Sequence, residues 1–323
     1  MFRPPLIAAT AVLAASLPLA GTAAADFPDQ PIRWVVPYPP GGTTEAIARI
    51  IGDEISQTLG VQVSVDPRPG AAGNIGSNHV ANSPPDGYTI LLGTQSSHGT
   101  NALLMDDIPY DPLTDFTPIS MIATAPLMLV LNTDLPVDSV DGLVAWIEGE
   151  GGANYASTSP GGGAHIAGEM FRLATGLDLN HIPYAGSGPS RTDVIAGHVP
   201  FMFDNVPSSL PFAQDGQLNA LAVTGMARSD AAPDLPTMEE LGFEGLVFEG
   251  WYAVFAPPGT PADRVAVLNE AINAALQADA VVERMENLGL EIELMTPEAL
   301  AERMALDIDR YGAVIREAGI TLD

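Results

Sequence analysis

Short apolar runs and helix-like stretches alternate along nearly all of this 323-residue chain, and that alternation restricts it to layered α/β architecture. Strands are predicted over Ile32–Val36, Val61–Val65, Tyr88–Leu92, Leu127–Leu131, Val199–Phe203, Leu218–Val223 and Trp251–Phe255. Apolar residues spaced three and four apart predict helices between them, over Ala46–Leu59, Ile75–Asn82, Val140–Glu148, His165–Ala174, Ser190–Ala196 and Met238–Leu241. Such alternation favours mainly parallel sheets. From Pro261 onward the pattern is helical, over Ala262–Ala278, Ala280–Leu288 and Pro297–Ala318. Leu127–Leu131 follows the turn-rich stretch from Pro109 to Pro118, and Trp251–Phe255 precedes Pro257-Pro258-Gly259. Both are placed to cross between lobes. The expected division is 26–124 plus 252–323 as lobe 1 and 125–251 as lobe 2, with a two-strand hinge and a closing cleft.

The N-terminus reads as an export signal rather than part of that fold. Met1-Phe2-Arg3 is a small positive start, Leu6–Ala20 is apolar, and Ala23-Ala24-Ala25 offers small residues before a cut near Ala25. Pro18 and Gly21 break the run, so it is too short for a membrane anchor. The mature protein is expected in the periplasm, not membrane-embedded, as a monomer. There is no Cys, which excludes disulfides, thiolate catalysis and Cys-metal sites. Twelve basic residues, none of them Lys, face 40 acidic ones, a formal charge of −28. A nucleic-acid partner needs the opposite balance. The acidity is spread along the chain and screened over roughly 8 Å at physiological salt, which leaves an anionic ligand open.

Several turns carry the chemistry. Val36-Pro37-Tyr38-Pro39-Pro40-Gly41-Gly42-Thr43-Thr44-Glu45 joins a strand to a helix through residues that stop the one and free the backbone to start the other. Backbone N–H groups at such a helix start bind anions without a basic side chain. No Lys follows the glycines, so this is not a phosphate-binding loop of the Walker type. The alternative is an ordinary strand-to-helix connection. Ser157-Thr158-Ser159-Pro160-Gly161-Gly162-Gly163-Ala164-His165 repeats the arrangement in mid-chain, and Gly93-Thr94-Gln95-Ser96-Ser97-His98 is a third hydroxyl-rich strand end. Tyr184-Ala185-Gly186-Ser187 and Phe203-Asp204-Asn205 complete the group. Glu45 and Asp204 are the acids expected near a cleft, where each either accepts from a ligand or caps local backbone.

Catalytic patterns are absent from the sequence. No Gly-x-Ser-x-Gly, His-Glu-x-x-His or Ca²⁺-loop spacing occurs. His165 and Glu169 have i,i+4 spacing, read as structural rather than metal-binding. No catalytic residue, metal or cofactor is expected.

The residues resemble the Bug-type extracytoplasmic solute receptors of tripartite tricarboxylate transporters. The resemblance runs through Phe27-Pro28-Asp29-Gln30-Pro31-Ile32, Pro37–Gly42, Arg68-Pro69-Gly70-Ala71-Ala72-Gly73-Asn74-Ile75-Gly76, Pro85-Asp86-Gly87-Tyr88-Thr89 and Gly93-Thr94. It continues through His181-Ile182-Pro183-Tyr184, Met202-Phe203-Asp204, Leu221-Ala222-Val223-Thr224, Pro233-Asp234-Leu235-Pro236-Thr237 and Ala256-Pro257-Pro258-Gly259-Thr260-Pro261. It implies a periplasmic-binding-protein type II fold, two α/β lobes joined by two crossing strands. It also implies that Tyr38 to Glu45 hold a ligand carboxylate through backbone groups and bridging water. Thr94 to Ser97, Ser157 to Gly163 and Asp204 would line the rest, and membrane subunits of the transporter would be the partner. Taken with the turns above, the candidate ligand-binding residues are Tyr38, Pro40, Gly41, Gly42, Thr43, Thr44, Glu45, Thr94, Ser96, Ser97, Ser157, Thr158, Ser159, Gly161, Gly162, His165, Tyr184, Gly186, Ser187 and Asp204. Glu45 stands where the family usually has Asp, Pro200 replaces a common acidic residue, and the Ser157–Gly163 turn departs from the usual Gly/Ser pattern. A di-, tri- or aromatic carboxylate is the expected ligand. The alternatives are a sensory receptor for a membrane histidine kinase, an amino or hydroxy ligand, and a secreted Ser hydrolase.

Overall fold

The computed structural model describes residues 27–184 and 186–321; the leader expected at 1–25 lies outside the described residues. In chain order the elements are β1 (Ile32–Val36), α1 (Thr43–Leu59), β2 (Val63–Pro67), α2 (Asn74–Ala81), β3 (Thr89–Thr94), α3 (Asn101–Leu104), β4 (Thr117–Asn132) and α4 (Val140–Glu150). Then come β5 (Ala153–Ser157), α5 (Gly163–Thr175), β6 (Leu179–Pro183), α6 (Ser187–Ile195), β7 (Phe201–Asn205), α7 (Val206–Gln214) and β8 (Leu218–Val223). β9 (Glu249–Ala256), α8 (Ala262–Ala275), α9 (Asp279–Asn287), β10 (Glu291–Ile292) and α10 (Pro297–Ala318) complete the chain.

The strands form one curled sheet in the order β2-β1-β3-β9-β4-β7-β5-β6, with β8 and β10 also on β4. β2-β1-β3 and β6-β5-β7 are parallel, whereas β9, β7, β8 and β10 all run antiparallel to β4. The expectation of mainly parallel sheets is thus corrected at the centre. There, two long strands pass each other in opposite directions instead of being linked by a crossover helix.

β4 is the element that joins the halves. Its residues 117–126 pair with β9, and its residues 127–132 pair with β7 and β8. The crossing strand expected at Leu127–Leu131 therefore begins ten residues earlier. Pro118 and Pro126 had disguised it as turn, since neither can donate to a ladder. The register shifts between Pro118 and Ser120 and again between Met121 and Ala123, which absorbs the first of these gaps.

Each half has its own core. Ile47, Ile51 and Ile55 of α1 pack with Trp34, Ile122, Leu268 and Ile272 on one face of the first half. Burying each such side chain contributes about 1.5–3 kcal/mol. Val35, Leu91, Phe116 and Phe255 fill its other face, together with Leu300 and Met304 of α10. In the second half, Leu129, Leu143, Phe171, Phe201 and Phe248 pack with Tyr311 and Ile315, also of α10. The helix expected at Met238–Leu241 is instead a turn. Thr237 and Glu240 cap each other's backbone N–H groups at 3.1 and 3.0 Å, but Gly242 at φ 89° ends the helix before it starts.

Gly93 in β3 is fixed by packing. A Cβ there would lie 2.4 Å from the Phe255 ring and 2.9 Å from His98 Nδ1. Gly93→Ala is expected to cost about 1–3 kcal/mol of unfolding free energy by urea titration. A loss under about 0.5 kcal/mol would mean that the Phe255 ring swings clear.

Candidate functional site

Two helix starts converge on one cavity. At α1, Gly41 takes a left-handed turn (φ 87°) and Gly42 is the N-cap, with no side chain capping the helix. At α5, Gly162 is the N-cap, again without a side-chain cap. Uncapped N-termini present backbone N–H groups and the positive end of the helix dipole. Gly163, the first residue of α5, must be glycine, because a Cβ would sit 2.4 Å from the Phe248 ring.

The cavity between them has a volume of about 260 Å³. Tyr38, Thr44, Thr94, Gln95 and Ser96 form one wall. Thr158, Gly163, Ala164, Asp204 and Asn205 form the facing wall. Ala125 and Leu127 of β4, with Phe248, Gly250, Trp251 and Tyr252 at β9, close the remaining sides. Ala125 and Leu127 flank the point where β4 exchanges β9 for β7 as partner. A strand that changes neighbours leaves a crevice, and ligands in α/β sheets sit in such crevices. Among the described residues, no Arg or His lines this cavity.

The polar groups are tightly ordered. Tyr38 Oη and Thr94 Oγ1 share a hydrogen bond of 2.7 Å, and Thr94 N–H donates to Ser97 Oγ at 3.0 Å. Ser97 Oγ lies 2.9 Å from Nδ1 of His98, whose ring stacks on Phe255 at 4.2 Å. Burial brings the His98 pKa down to about 3 and pushes the Tyr252 hydroxyl up to about 12. On the facing side, Asp204 is fully buried and accepts from Ser187 Oγ and, at 2.6 Å, from Ser209 Oγ. Burial raises its pKa against the pull of those two hydroxyls. Its carboxylate ties the starts of α6 and α7 to β7, with Arg191 3.6 Å away.

Six sequence candidates stand in the cavity wall: Tyr38, Thr44, Thr94, Ser96, Thr158 and Asp204. The other candidates lie outside it. Glu45, in the first turn of α1, braces the turn before the helix: its carboxylate accepts from Gly41 N–H at 2.6 Å and pairs with Arg49 at 2.5 Å. The Gly41 N–H bond, then Arg49, holds it below the usual carboxylate range. Pro40, Gly41, Gly42 and Thr43 shape the turn into α1. Ser97 sits behind Thr94. Ser157 meets His181 Nε2 at 2.5 Å, and Gly161 N–H donates to His165 Nδ1 at 3.0 Å. The His165 and His181 rings stack at 3.6 Å. Ser159 and Gly162 bond each other through backbone at 3.3 Å. Gly186 N–H donates to Thr158 O at 2.8 Å, and Tyr184 Oη donates to Asp193 at 2.6 Å. Glu169 is engaged by Tyr155 and Arg172, both at 2.7 Å. Among the described residues, no cluster of three His, Asp or Glu is spaced to hold a metal.

Gln95 falls within the Thr94–Ser97 stretch expected to line the site, whereas sequence reasoning missed Asn205, Phe248, Trp251 and Tyr252 as wall residues. Asn205 sits beside a candidate that was named, and Trp251 and Tyr252 fell within a predicted crossing strand. Phe248 carried no local signal.

Two α/β halves on shared central strands, with a cavity at the strand exchange, define a periplasmic-binding-protein type II fold. A family model described as "Tripartite tricarboxylate transporter family receptor" (TctC) matches residues 47–320. Protein BugT of Bordetella pertussis is 40% identical over 320 residues, covering 98% of each chain. A Rhodopseudomonas palustris structure, MatC with bound malate, is 29% identical with a TM-score of 0.71, covering 90% of this chain and 100% of that one. An R. palustris structure with adipate is 35% identical with a TM-score of 0.76, covering 92% and 100%. The chain belongs to the TctC (Bug) family of periplasmic solute-binding receptors.

His98 makes stability depend on pH. Its folded pKa of about 3 lies below the ~6.5 of a free histidine, so the unfolded chain binds more protons between those limits. Its contribution is complete above about pH 6.5 and is lost as pH falls, at about 1.4 kcal/mol per pH unit. His98→Asn is expected to lower the slope of unfolding free energy against pH between 6 and 5 by about one proton. An unchanged slope would show that His98 titrates normally in the folded protein.

Proposed function

We propose that this chain is an exported receptor that captures a small carboxylate in the cavity and delivers it to membrane subunits of a tripartite tricarboxylate-type transporter. One observation carries the reading. Two helix N-termini without side-chain caps, at Gly42 and Gly162, meet at a cavity whose polar lining is hydroxyls, amides and the hydrogen-bonded Asp204, with no Arg or His. Such dipoles neutralise a carboxylate while avoiding the cost of desolvating a basic side chain. The malate and adipate carried by the two R. palustris structures are ligands of that kind. In this reading residues 26–124 plus 252–323 and residues 125–251 act as lobes, α10 bracing both. Tyr38, Thr44, Thr94, Ser96 and Thr158 contribute hydroxyls, and the turns at Gly41–Thr43 and Ser159–Gly162 present the backbone. Closure is driven by the ligand's higher affinity for the closed form. The protein works in the periplasm as a monomer after removal of its first 25 residues.

Two hydroxyl–imidazole pairs, Ser97–His98 and Ser157–His181, raise a hydrolytic alternative. Ser97 and His98 are fully buried, and His98 Nε2 has no hydrogen-bond partner to orient it as a base. Neither Ser97 nor Ser157 lines the cavity. The receptor reading is therefore favoured.

A thermal-shift series from C4 to C8 dicarboxylates, with citrate and benzoate, tests the reading. A ligand at about 100 times its Kd adds ~2.7 kcal/mol of stability. A series in which no carboxylate raises the midpoint would overturn it. Thr94→Val should weaken binding of the best ligand by roughly 5- to 150-fold, from about 1–3 kcal/mol for a lost buried hydrogen bond. Titration calorimetry with unchanged affinity would remove Thr94 from the site.

A further inference from the structure

Helix α10 contributes no residue to the cavity wall, yet it touches two of the wall's aromatic rings from behind. Trp251 Nε1–H donates to Asp307 Oδ2 at 3.0 Å. The Phe248 ring packs on Tyr311 with centroids 5.0 Å apart. Asp307 Oδ2 also accepts from Arg303 Nε at 3.1 Å, and Arg303 Nη2 donates to Glu249 Oε2 at 2.7 Å. Glu249 lies between Phe248 and Gly250, both wall residues, and its Oε1 accepts from Met226 N–H at 2.9 Å. Trp251, Glu249, Arg303 and Asp307 are all buried. A buried indole N–H without an acceptor is costly, so Asp307 fixes the tilt of the Trp251 ring.

The same helix belongs to both cores. Leu300 and Met304 pack in the first half, and Tyr311 and Ile315 pack in the second. Asp307 falls between those two sets, with Arg303 one turn before it. Phe248 has no room to retreat on its other side, where it abuts Gly163 at the start of α5.

We propose that α10 sets the ligand selectivity of the pocket, with Asp307 positioning Trp251 and Tyr311 positioning Phe248. These rings bound the space left for the part of the ligand that the helix starts do not hold. The proposal rests on reading the cavity as the carboxylate site. In it, Arg303 keeps Asp307 and Glu249 compensated, since removing one partner of a buried charge group leaves the others exposed to a large desolvation cost.

The test compares wild type with Asp307→Asn, Asp307→Leu, Trp251→Phe and Trp251→Phe/Asp307→Leu. Calorimetry gives the ratio of affinities for succinate and suberate, and NMR gives the exchange rate of the Trp251 indole N–H. Asp307→Asn retains an acceptor and is expected to keep the ratio within threefold. Asp307→Leu is expected to shift the ratio at least tenfold and to speed indole exchange at least tenfold. Trp251→Phe should shift the ratio too, and adding Asp307→Leu to it should change nothing further. A wild-type ratio in folded Asp307→Leu overturns the proposal; if that variant does not fold, a wild-type ratio in Trp251→Phe does so. A wild-type protein that binds no carboxylate defeats the reading of the cavity, and the exchange rates then decide the Asp307–Trp251 link by themselves.

Discussion

Unbroken backbone pairing along β4 is the constraint on which both halves depend. Nearly all of this strand is buried, so its N–H and C=O groups must find partners inside the protein. It does so by changing partners midway. β9 accompanies it to Pro126, which has no N–H to satisfy, and Leu127 N–H passes to Thr224 Oγ1 at 3.0 Å. Thr224 N–H returns to Leu127 O at 2.8 Å. β7 and β8 then take over the remaining length. The cavity is a by-product of that exchange, because neighbouring strands diverge where β4 changes company.

The cavity's electrostatics follow from what surrounds it. Hydroxyl and amide groups share its walls with apolar and aromatic side chains, and its one carboxylate, Asp204, is committed to Ser187 and Ser209. Basic residues close to the site are committed as well, Arg49 in α1 to Glu45 and Arg191 to Asp204 at 3.6 Å. What is left to meet an anion is oriented dipole, with the O–H protons of Tyr38 and Thr94 arranged around a single mutual bond.

Much of this was legible in the sequence because local rules and the fold agree. β1, β8 and α10 are predicted with their observed bounds, since their apolar spacing is undisturbed. Both Gly-rich turns do lead into helix starts that face one cavity. What escaped notice was non-local. The length of β4 was hidden by two prolines, and α7 by Pro207 and Pro211, residues that normally end regular structure. β6 and β10 gave no strand signal strong enough to name. Trp251 and Phe248 are backed in the wall by α10, more than fifty residues further on, a contact no local pattern reveals. Glu45 has two roles open to it in the sequence, and the structure shows the local one: the nearest N–H group, that of Gly41, claims its carboxylate.

A pocket that held the proposed carboxylate by dipoles, inside a chain of formal charge −28, would separate capture from retention. At long range the protein repels an approaching carboxylate, and dissolved salt shortens the reach of that repulsion. Within the cavity the proposed contacts would be between an anion and oriented dipoles, which salt screens less than it screens exposed charges. Under the proposed function, association would therefore quicken as ionic strength rises, the opposite of the behaviour of receptors that seize anions with exposed arginines.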